Sequence, residues 1–371
     1  MSFGTGCSRP IEAKFVISGE TAVLPGEHRV QIEDGLQRMF GLPLHPRLLT
    51  SLPAGVVSSG VQMKTEESTE SESPAVDEGP GFTFLDTSRL RHGARVYSRR
   101  CVGCHGASGD GNGPAAAYLR PKPRDYRKGI FKFTSTAFGE RPTRQDLMRT
   151  IRRGAKGTSM PAFPWMAKDD AEAVIDYVIY LSLRGKVESE VAYMAEDYDE
   201  DEPLESDEFA DAMESEIENW ERAQFAAIHP ISARPPYDLE SVELGRRLFI
   251  KSSCYSCHGE DAKGQTEWLS PEFLASQELA ATKDKIQINF DEWGEPAPAA
   301  NITAGMLHGG RRPLDIYRRI YTGINGTPMP QFGLVFSSDP QAIWHMVHYV
   351  MHVVDGGDPA VGVSVSDVMQ E

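Results

Sequence analysis

Apolar residues fall at helical spacing in a few separated stretches of this 371-residue chain, and polar runs without periodicity divide them. Near the start, "RVQIEDGLQRMFGLPLHPRLL" carries an amphipathic run that meets prolines, which predicts a short helix followed by a strap. "FADAMESEIENW" has helical spacing on a strongly acidic background. "AIWHMVHYVMHV" predicts a helix that sets His345, His348 and His352 on one broad face, at i, i+3 and i+7. In contrast, "TEESTESESPAVDEGPG" shows no hydrophobic period and reads as a linker. "EDAKGQTEWLSPEFLASQELAATKDKIQINFDEWGEPAPAA" reads as a surface excursion with one short helix. No stretch approaches the roughly twenty apolar residues of a membrane-spanning helix.

Cysteine usage sharpens the picture. Four of the five cysteines lie in two pentads, Cys101-Val-Gly-Cys104-His105 and Cys254-Tyr-Ser-Cys257-His258, placed 153 positions apart. On one helical turn the two sulfurs face the same side, where each can form a thioether to a haem vinyl group while the next residue presents a ring nitrogen to the iron. This is the c-type haem attachment signature. Cys-x-x-Cys alone also suits a zinc knuckle or a thioredoxin-like pair; the duplication favours haem.

Each pentad is followed by a matching segment. Ile151-Arg-Arg-Gly154-Ala-Lys-Gly157-Thr158-Ser-Met160-Pro161-Ala-Phe163 and Ile320-Tyr-Thr-Gly323-Ile-Asn-Gly326-Thr327-Pro-Met329-Pro330-Gln-Phe332 superpose at a constant offset of 169, sharing Ile, both Gly, Thr, Met, Pro and Phe. Glycine and proline around the Met indicate an irregular loop, not an apolar helix face. A thioether is a soft ligand that favours ferrous iron, so a His/Met pair gives a haem of raised potential with both axial positions filled. Met160 and Met329 are therefore the expected sixth ligands, opposite His105 and His258.

These residues are similar to those of class I cytochromes c, and the chain resembles a dihaem member of that family over residues 85–187 and 238–354. The resemblance implies an all-α fold of two tandem domains, each a few helices wrapped around one covalently attached haem c. It implies that Gly93 and Tyr97 cross a C-terminal helix at Tyr177, and that Gly245 and Phe249 cross one at Tyr349. It also implies a carbonyl near Pro121 or Pro123 holding the Nδ1 proton of His105; the altered stretch after His258 offers no placeable equivalent. Arg124 and Arg127 follow the proline segment, where they would meet a haem propionate or remain surface charge. His308 and, more weakly, Met306 are rivals to Met329. Trp165, Tyr317, Phe332 and Trp344 read as haem-pocket walls, His92 and His229 as surface residues, and the three histidines of the last helix as boundary-facing groups or a metal site.

The expected organisation is an N-terminal extension and acidic linker (1–81), a first cytochrome domain (82–187), an acidic linker (188–222), a second cytochrome domain (223–356) and a tail (357–371). Charge is uneven: residues 81–187 hold 20 Lys/Arg against 9 Asp/Glu, whereas 188–221 hold none against 16. Self-repulsion should extend that acidic run unless something basic lies alongside. It reads as a solvated spacer or as a strip that competes with an acidic redox partner for the basic domain. The overall charge of −16 argues against nucleic acid.

Haem is attached to c-type cytochromes outside the bacterial cytoplasm, which places the chain in the periplasm or on the outer face of the cytoplasmic membrane. Small residues before Cys7 in "MSFGTGCSRP" resemble the end of a lipoprotein signal, making Cys7 a candidate lipid attachment site; Gly4 departs from that pattern, and a stray thiol is the alternative. The function expected is single-electron transfer in a respiratory chain, without catalytic residues. A quinol-oxidising complex or a dehydrogenase would be the donor, and a terminal oxidase or other reductase the acceptor. The alternatives are a dihaem peroxidase-type enzyme, which needs an open iron site that the repeated Met loop denies, or an electron-transfer subunit of a larger oxidoreductase complex. Thiosulfate oxidation would need an unspent Cys ligand, and a purely structural haem role would need haems that ordinary reductants do not reduce.

Overall fold

The computed structural model describes residues 14–52, 85–264 and 290–370. Its helices in chain order are α1 (Gly19–Ala22), α2 (Gly26–Phe40), α3 (Thr87–Arg100), α4 (Val102–His105), α5 (Arg144–Arg153), α6 (Lys168–Ala195), α7 (Ser206–Ala223), α8 (Leu239–Lys251), α9 (Tyr255–His258), α10 (Pro313–Thr322), α11 (Ala342–Val354) and α12 (Val365–Met369). A minimal hairpin, β1 (Gly41–Leu42) and β2 (His45–Pro46), pairs Gly41 with Pro46 and Leu42 with His45. The fold is all-α, as the resemblance implied. No helix among the described residues is long and apolar enough to cross a membrane. The linker expected at 65–81, the helix expected in the 260–300 excursion and Cys7 lie outside the described residues.

Two compact units divide the chain: residues 1–118, 123–129 and 167–218 in one, and 119–122, 130–166 and 219–371 in the other. In the first, the Asp86 carboxylate caps α3 by accepting from the backbone N–H groups of Ser88 and Arg89. Leu90, Gly93, Ala94 and Tyr97 then form the buried stripe of that helix. The stripe packs on α6 with almost no gap: a Cβ at Gly93 would lie 2.1 Å from the Ala173 carbonyl oxygen, and the rings of Tyr97 and Tyr177 meet at 5.1 Å.

Helix α6 is buried on more than one side because residues 14–52 cover a second flank. Tyr177 donates its hydroxyl to the Pro43 carbonyl at 2.8 Å and Tyr180 to that of Phe40. Arg184 pairs with Glu188 at 2.8 Å, and its guanidinium lies 4.5 Å from the centre of the Phe15 ring. Glu188 also accepts from the Thr21 hydroxyl at 3.1 Å. The helix runs unbroken through residue 187 to Ala195, so the acidic run begins helical, not extended. Its apolar members supply the reason: Val191, Leu204, Phe209 and Met213 are buried, and so are the carboxylates of Glu188 and Glu216. Phe209 presses on Gly35, Leu204 donates its N–H to Gln31, and the Glu202 carbonyl meets His28, so this strip lies against α2.

In the second unit, α8 and α11 repeat the glycine crossing. Asp238 caps α8 through the Ser241 N–H, and a Cβ at Gly245 would fall 2.0 Å from the His345 carbonyl oxygen. Phe249 and Tyr349 meet at 5.1 Å. Both crossings fall where the resemblance put them. The core beneath gathers Ile316, Tyr317, Ile320, Trp344 and Val347. Helix α5 belongs to this unit as well and starts at a capping box formed by Thr143 and Asp146.

Candidate functional site

Each pentad occupies a single turn closing directly on the long helix before it. In the first, the Cys101 N–H bonds Tyr97 O at 2.8 Å and the His105 N–H bonds Cys101 O at 2.9 Å. The second repeats this, with Cys254 N to Phe249 O at 3.0 Å and His258 N to Cys254 O at 2.9 Å. That turn is what sets the two sulfurs on one side of the backbone. Burial pushes the Cys101 and Cys254 thiols up to about 12 before any thioether forms, with the neighbouring pentad cysteine adding to the effect in each.

Both histidines commit one ring nitrogen to a backbone carbonyl. His105 Nδ1 lies 3.0 Å from Arg124 O, and His258 Nδ1 lies 3.1 Å from Ala300 O. Burial lowers the pKa of each imidazole below its ordinary value, so each is neutral and Nδ1 carries the proton that the carbonyl accepts. Nε2 then presents its lone pair. Such an outer hydrogen bond fixes the tautomer and ring orientation of a metal-binding His. Tyr126 stacks on the His105 ring with centroids 4.7 Å apart.

The carbonyl expected near Pro121 or Pro123 is that of Arg124, the residue after Pro123, while the turn brings the Pro123 carbonyl against Gly111. A Cβ there would lie 2.5 Å from Pro123 O. Ala300 was not identified from the sequence at all, since 42 residues separate it from His258. A signal existed: Gly111 and Gly264 each stand six residues after their His, with φ of 74° and 67°, and donate back to the His carbonyl at 3.0 and 2.8 Å. Gly264 packs against Ala299 and Ala300 as Gly111 packs against Pro123.

The two Met loops carry one hydrogen-bond pattern. Ala155 N bonds Met160 O at 3.2 Å, Thr158 Oγ1 donates to Ala155 O at 2.7 Å and accepts from Met160 N at 3.1 Å, and Phe163 N returns to Ile151 O at 2.9 Å. In the other, Ile324 N bonds Met329 O at 3.2 Å, Thr327 Oγ1 donates to Ile324 O at 2.8 Å and accepts from Met329 N at 3.3 Å, and Phe332 N returns to Ile320 O at 3.1 Å. Gly154 and Gly323, at φ of 66° and 70°, let the chain fold over the Met carbonyl; a Cβ would come within 2.5 or 2.6 Å of it. Cys254 and Phe332 pack on the same apolar core in the second unit.

The remaining expected residues divide. Tyr317 and Trp344 are buried and Phe332 packs on the core, whereas Trp165 is 95% exposed. His308 gives Nδ1 to the Lys156 carbonyl, and Met306 is half exposed beside Gly157. His345 and His348 both direct Nδ1 to the Ser241 hydroxyl, at 2.7 and 2.6 Å. No group of three or more metal-binding side chains converges among the described residues. Arg127 holds Asp125 through two contacts of 3.0 and 2.9 Å, and His92 meets Asp170 at 2.7 Å. The sulfur pairs and the tautomerically fixed histidines fit covalent attachment of a haem at each pentad.

Residues 88–178 match the family described as cytochrome c oxidase, cbb3-type, subunit III, and residues 242–353 match the cytochrome c family. None of the curated proteins matches the chain. Among solved structures, a chain of the Kuenenia stuttgartiensis reducing HAO-like protein complex is similar, with a TM-score of 0.51 and 25% identity over 71% of this chain and 95% of its own.

Proposed function

We propose that the chain, a dihaem class I c-type cytochrome with two covalently bound haem c groups, relays single electrons through two six-coordinate irons. In this reading Cys101 and Cys104 would hold one haem, with His105 and Met160 as ligands to its iron. Cys254 and Cys257 would hold the other, with His258 and Met329. The observation that carries it is the repeated Met loop: two copies keep the same set of four hydrogen bonds around Met160 and Met329.

Bound haem supplies the one-electron couple of its iron. The protein sets the conditions. The Arg124 and Ala300 carbonyls hold the Nδ1 protons, which keeps His105 and His258 neutral and aimed. Thr158 and Thr327 fix the backbone that presents each thioether, a soft donor that favours the reduced state. The α3–α6 and α8–α11 crossings pack helix backbone against helix backbone without a gap beside each pentad helix.

We place this relay on the outer side of the cytoplasmic membrane, between a quinol-oxidising complex or dehydrogenase and an oxidase or other reductase. The match of residues 88–178 to an oxidase subunit family, and the likeness to a chain from a multi-subunit complex, support work as an electron-transfer subunit. A visible redox titration, with and without peroxide or carbon monoxide, tests the reading. Two low-spin centres indifferent to both ligands are expected; a high-spin fraction that binds either one overturns it.

A further inference from the structure

Two contacts inside the second unit are the same contact with the halves exchanged. The Gly139 N–H donates to Asn325 Oδ1 at 2.9 Å, and His308 Nδ1 meets the Lys156 carbonyl. At the 169-residue offset that aligns the Met loops, 139 becomes 308 and 156 becomes 325. Lys156 and Asn325 hold one position in the two loops, and Gly139 and His308 hold one position in the segments that lead to α5 and α10. Each Met loop is therefore clasped by the approach segment of the other half, in the manner of a self-complementary interface.

The glycine after each clasp residue records the pressure. A Cβ at Gly157 would lie 2.6 Å from the Met306 sulfur and 2.7 Å from the His308 ring; one at Gly326 would lie 2.5 Å from Trp293 and 3.1 Å from Ile130. The clasp is unequal, however. Lys156 offers a main-chain carbonyl to an exposed histidine, whereas Asn325 is 5% exposed and acts through its side chain. Its Nδ2 also donates to Thr134 Oγ1 at 3.4 Å. Partly buried Arg319 anchors the same first-half segment, donating to the Lys132 carbonyl at 3.0 Å and to that of Thr134.

We infer that Asn325 is a positioning residue for Met329, through which first-half residues tune the second iron. The path is short. Asn325 sits inside the turn closed by Ile324 N on Met329 O at 3.2 Å, so a shift of its amide is passed to the Met329 backbone. The inference rests on Met329 being an axial ligand, as proposed above.

The test uses full-length holoprotein, with a visible redox titration and the weak long-wavelength absorption of a ferric iron–thioether bond as readouts. Losing a net hydrogen bond allows a fall of up to about tenfold in the reduction equilibrium constant of one haem, about 59 mV for one electron. Asn325→Ala is expected to lower one potential in that range and weaken the thioether band while the other haem keeps its value. Thr134→Val, a change outside the second half, should move the same potential the same way by less, and Thr134→Ser should restore it. Unmoved potentials in Asn325→Ala, or equal shifts at both haems, overturn the inference. If Asn325→Ala does not assemble, an inert Thr134→Val overturns it. A wild-type protein without any thioether band defeats the ligand reading and this inference together; a normal band with an inert Asn325→Ala defeats the inference alone.

Discussion

Replacing Gly245 by Ala adds one methyl group where two helix backbones touch. Its Cβ would stand 2.0 Å from the His345 carbonyl oxygen, 2.6 Å from the carbonyl carbon and 2.8 Å from Tyr349 Cβ. Carbon–oxygen contacts become comfortable near ~3.3 Å, so α8 and α11 must part by roughly an ångström. The obstacle is main chain, and no rotamer can relieve it. Overpacking of this kind costs about 1–3 kcal/mol. A gap of that width also forfeits about a quarter to a half of the dispersion energy of the atoms it separates, among them the Phe249–Tyr349 pair at 5.1 Å. Against this, Ala gains about 1 kcal/mol of helix propensity over Gly. The net expectation is a loss of about 2 kcal/mol. Urea unfolding of the holoprotein, followed by haem absorbance and far-ultraviolet circular dichroism, should show an earlier transition. Gly26→Ala, at the first position of α2 with a Cβ that meets nothing within 4 Å, is the control and should not bring the transition earlier. A Gly245→Ala protein as resistant to urea as the wild type would refute the gapless crossing, and Gly93→Ala, facing the Ala173 carbonyl at 2.1 Å, submits the first half to the same trial.

Glu188→Ala strands Arg184, whose side chain is 6% exposed; stability should fall by about 3–5 kcal/mol, with faster proteolysis within residues 14–22, and an unchanged digestion pattern would count against the ion pair as their anchor. His348 responds to pH. Burial, helped by Arg234 and His345, lowers its pKa to about 4, with Asp238 opposing, and Ser241 and Tyr237 complete its surroundings. An unfolded His takes up its proton near ~6.5. Between those values only the unfolded chain is protonated, so stability is full above the upper one and falls by roughly 3 kcal/mol as pH drops to the lower one. His348→Gln should flatten that slope in denaturant titrations at pH 7 and pH 4.5, and an equal slope in both proteins would remove His348 as its source.

What could be read from the sequence was local. A pentad fits one helical turn, and the Met loop is fixed by two glycines of positive φ, one threonine and a proline, so both survive as short strings. The crossing glycines were legible for the same reason, since each sits four residues before an aromatic that shares its face. Contacts across long separations were not. Ala300 reaches His258 over an excursion whose length hides its register, whereas the Arg124 carbonyl lies next to Pro123, where a compact turn put the expectation. The acidic run was legible in part: the helical spacing of "FADAMESEIENW" survives in α7, whereas the surrounding carboxylates concealed Val191 and Leu204, which are buried with Phe209. The exchanged contacts of Asn325 and His308 required both halves to be in place at once.

The cover over α6 bears on how the molecule can be cut. An expression fragment beginning at residue 82 would keep the first pentad and its glycine crossing, yet it would strip Phe15, Phe40 and Pro43 from the tyrosines and the arginine of α6. The bared flank would be sticky, and the excised piece should self-associate or precipitate where the parent stays dispersed. Anyone wishing to study that haem alone would do better to carry residues 14–52 along as a second peptide.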